Sequence, residues 1–212
     1  MRAIAAMVLA LGLTLFQHQA MAQEQIRFPV LSWDQLSAEQ KRWAEDIAAP
    51  PRNGKFDRPP FNEFLRSPEL ATRLTALGEY LRWHSSLPPR LSELAILITA
   101  REWNEQYIWH QHYRAALKGG LDEKIIADMS AGKIPTGLKS DEAALYDLAT
   151  SLYHNKSVSD LIFNAAVAQF GERGVVDAIA ILGFYDFVAM TLITAKAEPP
   201  LDDVPRLQTI SK

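Results

Sequence analysis

The sequence predicts an all-α bundle with an N-terminal helical, Pro-rich arm. Three observations carry this. Apolar residues recur at helical spacing through most of the chain, helix-start and helix-stop residues bracket those stretches, and no stretch shows the apolar/polar alternation of a half-buried strand. At 212 residues, 48% hydrophobic and 22% charged, the chain can build one domain around a sizeable core. It has no cysteine, which excludes disulfides, thiolate zinc sites, a Cys nucleophile and dithiol redox chemistry. A net charge of −3 gives no electrostatic footprint for nucleic acid, and none is expected as a partner.

Residues 1–22 read as a cleaved export signal. Arg2 is the positive start, Ile4 to Phe16 the apolar run, and Ala20-Met21-Ala22 the small-residue cleavage site before Gln23. The run is shorter than the ~20 apolar residues that span a bilayer. A periplasmic or secreted protein is therefore expected, with no membrane partner once the signal is removed. Residues 23–60 form the arm. Its helix is predicted over Trp33 to Ala48, with Leu36, Trp43 and Ile47 as apolar positions. Pro50-Pro51-Arg52-Asn53-Gly54 and Arg58-Pro59-Pro60 then interrupt regular structure and wrap over the domain. Residues 61–200 hold the main helical domain and 201–212 a tail.

Within the domain, Ser67-Pro68-Glu69 start a helix running to about Ser85, with Ser67 as cap and Pro68 at its first position. Arg90 to Trp103 is predicted to be buried, because Leu94 to Ile98 is apolar without a break. Glu105 to Lys118 follows, stopped by Gly119-Gly120, and then a short helix over Asp122 to Ala131. Ser140 is predicted to cap a helix reaching Asn155. Ser157 and Asp160 have capping-box spacing before a helix that ends at Phe170-Gly171. Glu172 to Ala197 is the most apolar segment. Asp177 and Asp186 interrupt it, and charge inside lipid is costly, so it is predicted to be a helix buried in the bundle or at an oligomer interface.

Several polar residues sit where apolar ones belong. Glu93 shares a helical face with Ile96, Leu97 and Ala100, where burial would raise its pKa unless a partner compensates. It also fits the first turns of its helix, where the dipole favours an acid. His112 lies on a stripe with Ile108, Trp109, Ala115 and Ala116, a position that suits a hydrogen-bonded core histidine or a catalyst. His110 is about 200° further round the helix, so the two cannot chelate one metal from one face, and no metal site is expected. Glu105, Tyr107 and Trp109 share that helix, and Arg101 and Arg90 are candidate contacts for an anionic substrate. Asp186 calls for a buried cationic partner.

The run Leu87-Pro88-Pro89-Arg90-Leu91-Ser92-Glu93-Leu94-Ala95-Ile96-Leu97, with Ala100-Arg101-Glu102-Trp103-Asn104 and Tyr107-Ile108-Trp109-His110-Gln111-His112, resembles the carboxymuconolactone decarboxylase family. Its superfamily includes the alkylhydroperoxidase D-like (AhpD-like) proteins. The resemblance spans roughly residues 60–200 and implies an all-α fold assembled as trimers or hexamers. In the peroxidase branch a Glu and a His relay protons to a Cys-x-x-Cys pair. Glu93 and His112 match the relay, but Glu105 and Ile108 occupy the cysteine positions, so thiol peroxidase activity is not expected. The decarboxylase branch implies lyase chemistry without a cofactor: loss of CO₂ from a small anionic substrate, a carboxylated lactone or related acid. His112 is then the expected acid/base, Glu93 its orienting or relaying partner, and Arg101, Arg90, Tyr107, Trp109 and Glu105 the expected substrate contacts. Related sequences often carry Glu where Ile108 stands. The competing expectation is a non-catalytic oligomeric binding or scaffold protein of the same fold.

Overall fold

The computed structural model describes residues 27–209, so the export signal expected at 1–22 lies outside the described residues. Among those described there are eight α-helices and no strand: α1 (Ala38–Ala48), α2 (Phe61–Phe64), α3 (Pro68–Glu79), α4 (Pro89–Glu102), α5 (Gln106–Gly119), α6 (Glu123–Ser130), α7 (Ser140–Thr150) and α8 (Asp160–Ala195). One π-helical turn, Tyr80–His84, prolongs α3, and a second, Ser151–Asn155, prolongs α7.

The core is organised around α4, which packs against α5, α6, α7 and α8. Every residue from Leu91 to Ala100 is buried. Leu91, Leu94, Ile96, Leu97 and Ile98 are each sealed from solvent, and each contributes about 1.5–3 kcal/mol of transfer free energy. This is the segment whose uninterrupted apolar run predicts burial on all sides.

Several helix starts differ from the expected ones. The first helix is split: Trp33–Gln35 is a 3₁₀ turn, and α1 starts only after Ser37. Ser37 Oγ accepts the Gln40 N–H and Gln40 Oε1 accepts the Ser37 N–H, a capping box that resets the helix start. Ser67 precedes α3 but makes no side-chain cap bond. At α7 it is Lys139, not Ser140, that occupies the cap, its N–H held by the Glu142 carboxylate at 2.7 Å. Ser159, rather than Ser157, caps α8. Gly171 falls where a helix end is expected. It adopts φ 67° and ψ 170° inside α8, kinking the rod. A side chain would be strained in that left-handed region.

The two acids that interrupt the apolar run of α8, Asp177 and Asp186, are held mainly by neutral donors, with Arg173 3.9 Å from Asp177 in addition. Asp177 accepts the Tyr80 hydroxyl (2.9 Å), the Ser86 N–H (2.7 Å) and the Ser86 hydroxyl (2.6 Å). Burial would raise its pKa most, but the Ser86 and Tyr80 bonds outweigh it and hold the carboxyl below its ordinary value. Asp186 accepts the Trp103 indole N–H (2.6 Å) and the Tyr153 hydroxyl (2.9 Å). The cationic partner expected for Asp186 is thus replaced by an indole and a phenol.

The arm lies on its own domain. Thr75 in α3 receives the Trp43 indole N–H on its hydroxyl and the Arg52 guanidinium on its carbonyl, both at 2.9 Å. The tail is strapped across α5. Gln106 and the Leu207 backbone exchange two hydrogen bonds, and Arg101 donates to the Gln208 carbonyl at 2.9 Å.

Candidate active site

Glu93 in α4 and His112 in α5 come together at the packed interface of these two helices. His112 Nδ1 lies 2.6 Å from Glu93 Oε2, and both residues are buried. Burial is the largest influence on Glu93 and would raise its pKa. The His112 charge and hydrogen bond, with Arg82 beyond, reverse this and hold Glu93 below its ordinary 4.5. Glu93 is therefore a carboxylate that accepts the Nδ1–H, which fixes the tautomer and leaves Nε2 as the working nitrogen. The Tyr185 ring meets the imidazole edge-on, with centroids 5.0 Å apart, and holds its plane.

His112 lines a cavity of about 150 Å³ between α3, α5, α8 and the arm. Its apolar walls include Phe61, Phe64, Leu74, Phe184 and Val188, and its polar lining includes Tyr107, Gln111, Tyr185, Arg52 and Arg82. Burial pushes the phenols of Tyr107 and Tyr185 up, so both stay neutral donors. Gly78 lets α3 approach closely here, since a Cβ on it would meet the Phe184 ring at 3.0 Å. An apolar chamber with a few convergent polar groups is the usual form of a small-molecule site.

Of the five residues expected to contact substrate, only Tyr107 lines this cavity. Arg90 is taken up by Asp141 (2.6 Å) and Glu142, where it ties α4 to α7. Arg101 donates to the Ser130 and Gln208 carbonyls and to Asn104, and faces a separate cleft with Glu102, Lys133 and His154. Trp109 is fully enclosed, with its indole N–H on the Pro205 carbonyl at 2.9 Å. Glu105 caps α5, accepting the Ile108 N–H at 2.6 Å, and borders a different surface cleft. Burial, partly offset by the backbone N–H groups of Ile108 and Tyr107, raises its pKa. His110 bonds Asp202 at 2.9 Å in the tail. Among the described residues no group of three or more His, Asp or Glu is placed to hold a metal.

Sequence reasoning missed Arg52, Arg82, Gln111 and Tyr185. Arg52 stands in the irregular Pro-rich arm, where periodicity gives no direction to a side chain. Arg82 belongs to the π turn, whose wider winding displaces it from the face a regular helix would give.

Comparison with known proteins agrees with this architecture. The model of the carboxymuconolactone decarboxylase family matches residues 68–151. A crystal structure of an Agrobacterium tumefaciens protein of unknown function, suggested to be the antioxidant defence protein AhpD, superposes with a TM-score of 0.59 at 20% identity. The match covers 66% of this chain and 97% of that one. No curated protein matches the chain. The helices that carry Glu93 and His112 lie within the matched segment, over which this cysteine-free chain is similar to the carboxymuconolactone decarboxylase family, and the fold is AhpD-like.

Proposed function

We propose that this chain is an exported, cofactor-independent acid/base lyase that decarboxylates a small carboxylated lactone or related acid in the His112 cavity. The observation that carries the reading is the buried Glu93–His112 pair, whose imidazole lines a small chamber with cationic groups in its lining. In a substrate whose carboxyl-bearing carbon is conjugated with the lactone carbonyl, the C–CO₂⁻ bond breaks and CO₂ departs. The electron pair enters the conjugated system as an enolate. The His112 imidazolium, its Nδ1–H held by Glu93, gives the Nε2 proton to carbon, and water returns that proton to the ring. The apolar walls destabilise the charged carboxylate relative to the delocalised transition state. A non-catalytic scaffold calls instead for an occluded or wholly apolar pocket at His112, and the polar lining supports the enzyme. Purified protein is expected to release CO₂ from at least one member of a carboxylated-lactone panel, and a panel without turnover overturns the reading.

The proposal includes a homo-oligomer, a trimer or hexamer by family resemblance, assembled through α8. Val176, Ile179, Gly183, Met190 and Ile193 share one helix face at steps of three, four, seven and three residues, with Asp186 between Gly183 and Met190. Val176 is 64% and Ile179 45% exposed, although both are large and apolar. Light scattering is expected to give an oligomer for the native chain and a monomer for Ile179→Glu with Met190→Glu. A native monomer at micromolar concentration contradicts this. Export predicts that mature protein recovered from the periplasm begins at Gln23 by mass spectrometry, and an intact residue 1–22 segment there counts against it.

A further inference from the structure

We propose that Arg52 and Arg82 form a carboxylate receptor at the mouth of the His112 cavity, so that the N-terminal arm completes the substrate site. The proposal rests on the placement of the site at that cavity. Arg52 lies outside the segment that the family model matches. It is brought in by the arm and pinned by its bond to the Thr75 carbonyl.

Both guanidiniums pack on one indole. The Cζ of Arg52 is 5.2 Å, and that of Arg82 5.1 Å, from the Trp83 ring centroid. Among the described residues neither makes an ion pair. The acids that act on them from beyond salt-bridge distance are Glu79 on Arg52 and Glu93 on Arg82; Glu79 lies 3.9 Å from His84, and Glu93 is bonded to His112. Two cations are thus gathered at one cavity without a salt bridge to a carboxylate of the protein, and Arg52 is half-buried. The half-buried Arg52 gains most from an anion, Arg82 reaches it from the exposed rim, and a guanidinium fork is the side chain best matched to a carboxylate. Burial, and then the charge of Arg82, lowers the pKa of Arg52, as two cations in mutual repulsion require.

The position of Arg52 adds a direction. Arg52 and Thr75 line both the inner cavity and an outer cleft of about 280 Å³ that holds Pro50, Pro51 and Trp83. A ligand arriving from that cleft meets the guanidinium before it meets His112. The inner volume of about 150 Å³ is the size of an engineered cavity that takes up benzene. The ligand class is therefore a compact, single-ring carboxylate, its ring among Phe61, Phe64 and Phe184 and its charge on the arginine pair.

Titration calorimetry with benzoate and 2-furoate, against benzamide and 2-furamide, tests this without requiring turnover. The native protein is expected to bind the acids ~10–100-fold more tightly than the amides. Arg52→Gln and Arg82→Gln should each remove most of that preference while leaving amide affinity within about threefold, which also reports an intact pocket. Arg52→Lys should restore part of it. Equal binding of acid and amide, acid binding unchanged in both Gln variants, or no acid binding below about 20 mM overturns the proposal. The catalytic reading fails separately: carboxylates that bind through Arg52 without any lactone turnover leave the receptor standing. Turnover that depends on His112 but ignores both arginines in KM removes the receptor and leaves the chemistry.

Discussion

Replacement of His112 by alanine is expected to lower kcat for CO₂ release by ~10²–10⁴-fold, the usual contribution of a positioned general acid. KM should change far less, because the arginines and the apolar walls remain. Glu93→Ala should lose activity on a similar scale. The carboxylate holds the Nδ1–H at 2.6 Å and stabilises the charged ring, so its removal frees the imidazole to turn and to change tautomer. Because the two act as one unit, the double variant should be little worse than His112→Ala alone. The sign of the Glu93 shift adds a pH test. With its pKa held below the ordinary value, Glu93 stays ionised near neutral pH, so loss of activity on acidification near neutrality reports another group. Steady-state CO₂ release across pH measures all of this, and unchanged rates in both single variants remove the pair from the mechanism.

Trp109→Ala is expected to destabilise the fold by about 3–5 kcal/mol. The ring is fully enclosed and its N–H satisfies the Pro205 carbonyl, so truncation leaves a cavity and releases the tail at once. Trp109→Phe keeps most of the volume and loses the hydrogen bond, at about 1–3 kcal/mol for the stranded carbonyl. Denaturant unfolding gives both numbers. KM should be unaltered in the Phe variant, because Trp109 does not line the His112 cavity. A raised KM with native stability would restore it as a substrate contact.

The contrast between these residues marks what could be read from the chain. The all-α class, the buried α4 and the break at Gly171 were legible because each depends on local spacing or on a residue with restricted backbone freedom. The apolar faces marked Glu93 and His112 only as anomalies, and it was the family resemblance that implied their pairing. The cations were not. Arg90 and Arg101 sit close in sequence to the expected site, but the partners that claim them, Asp141, Glu142, Ser130 and Gln208, come from elements distant in the chain. Arg52 reaches the site from 60 residues before His112, through a segment with no periodicity. Helix caps were misplaced by one or two residues, because adjacent polar side chains compete for the same free N–H groups.

Thr75 takes both Trp43 and Arg52. Two grips on one residue are not independent: a fluctuation that shifts Thr75 loosens the helix and the Pro-rich stretch of the arm together. The outer wall of the chamber can therefore peel away as a local opening while α4, α5 and α8 stay packed. Exchange of solvent and small molecules with the chamber would then follow the rhythm of the arm rather than that of global unfolding. The Trp43 and Arg52 amides should exchange hydrogen for deuterium far sooner than those of the Leu91–Ala100 stretch.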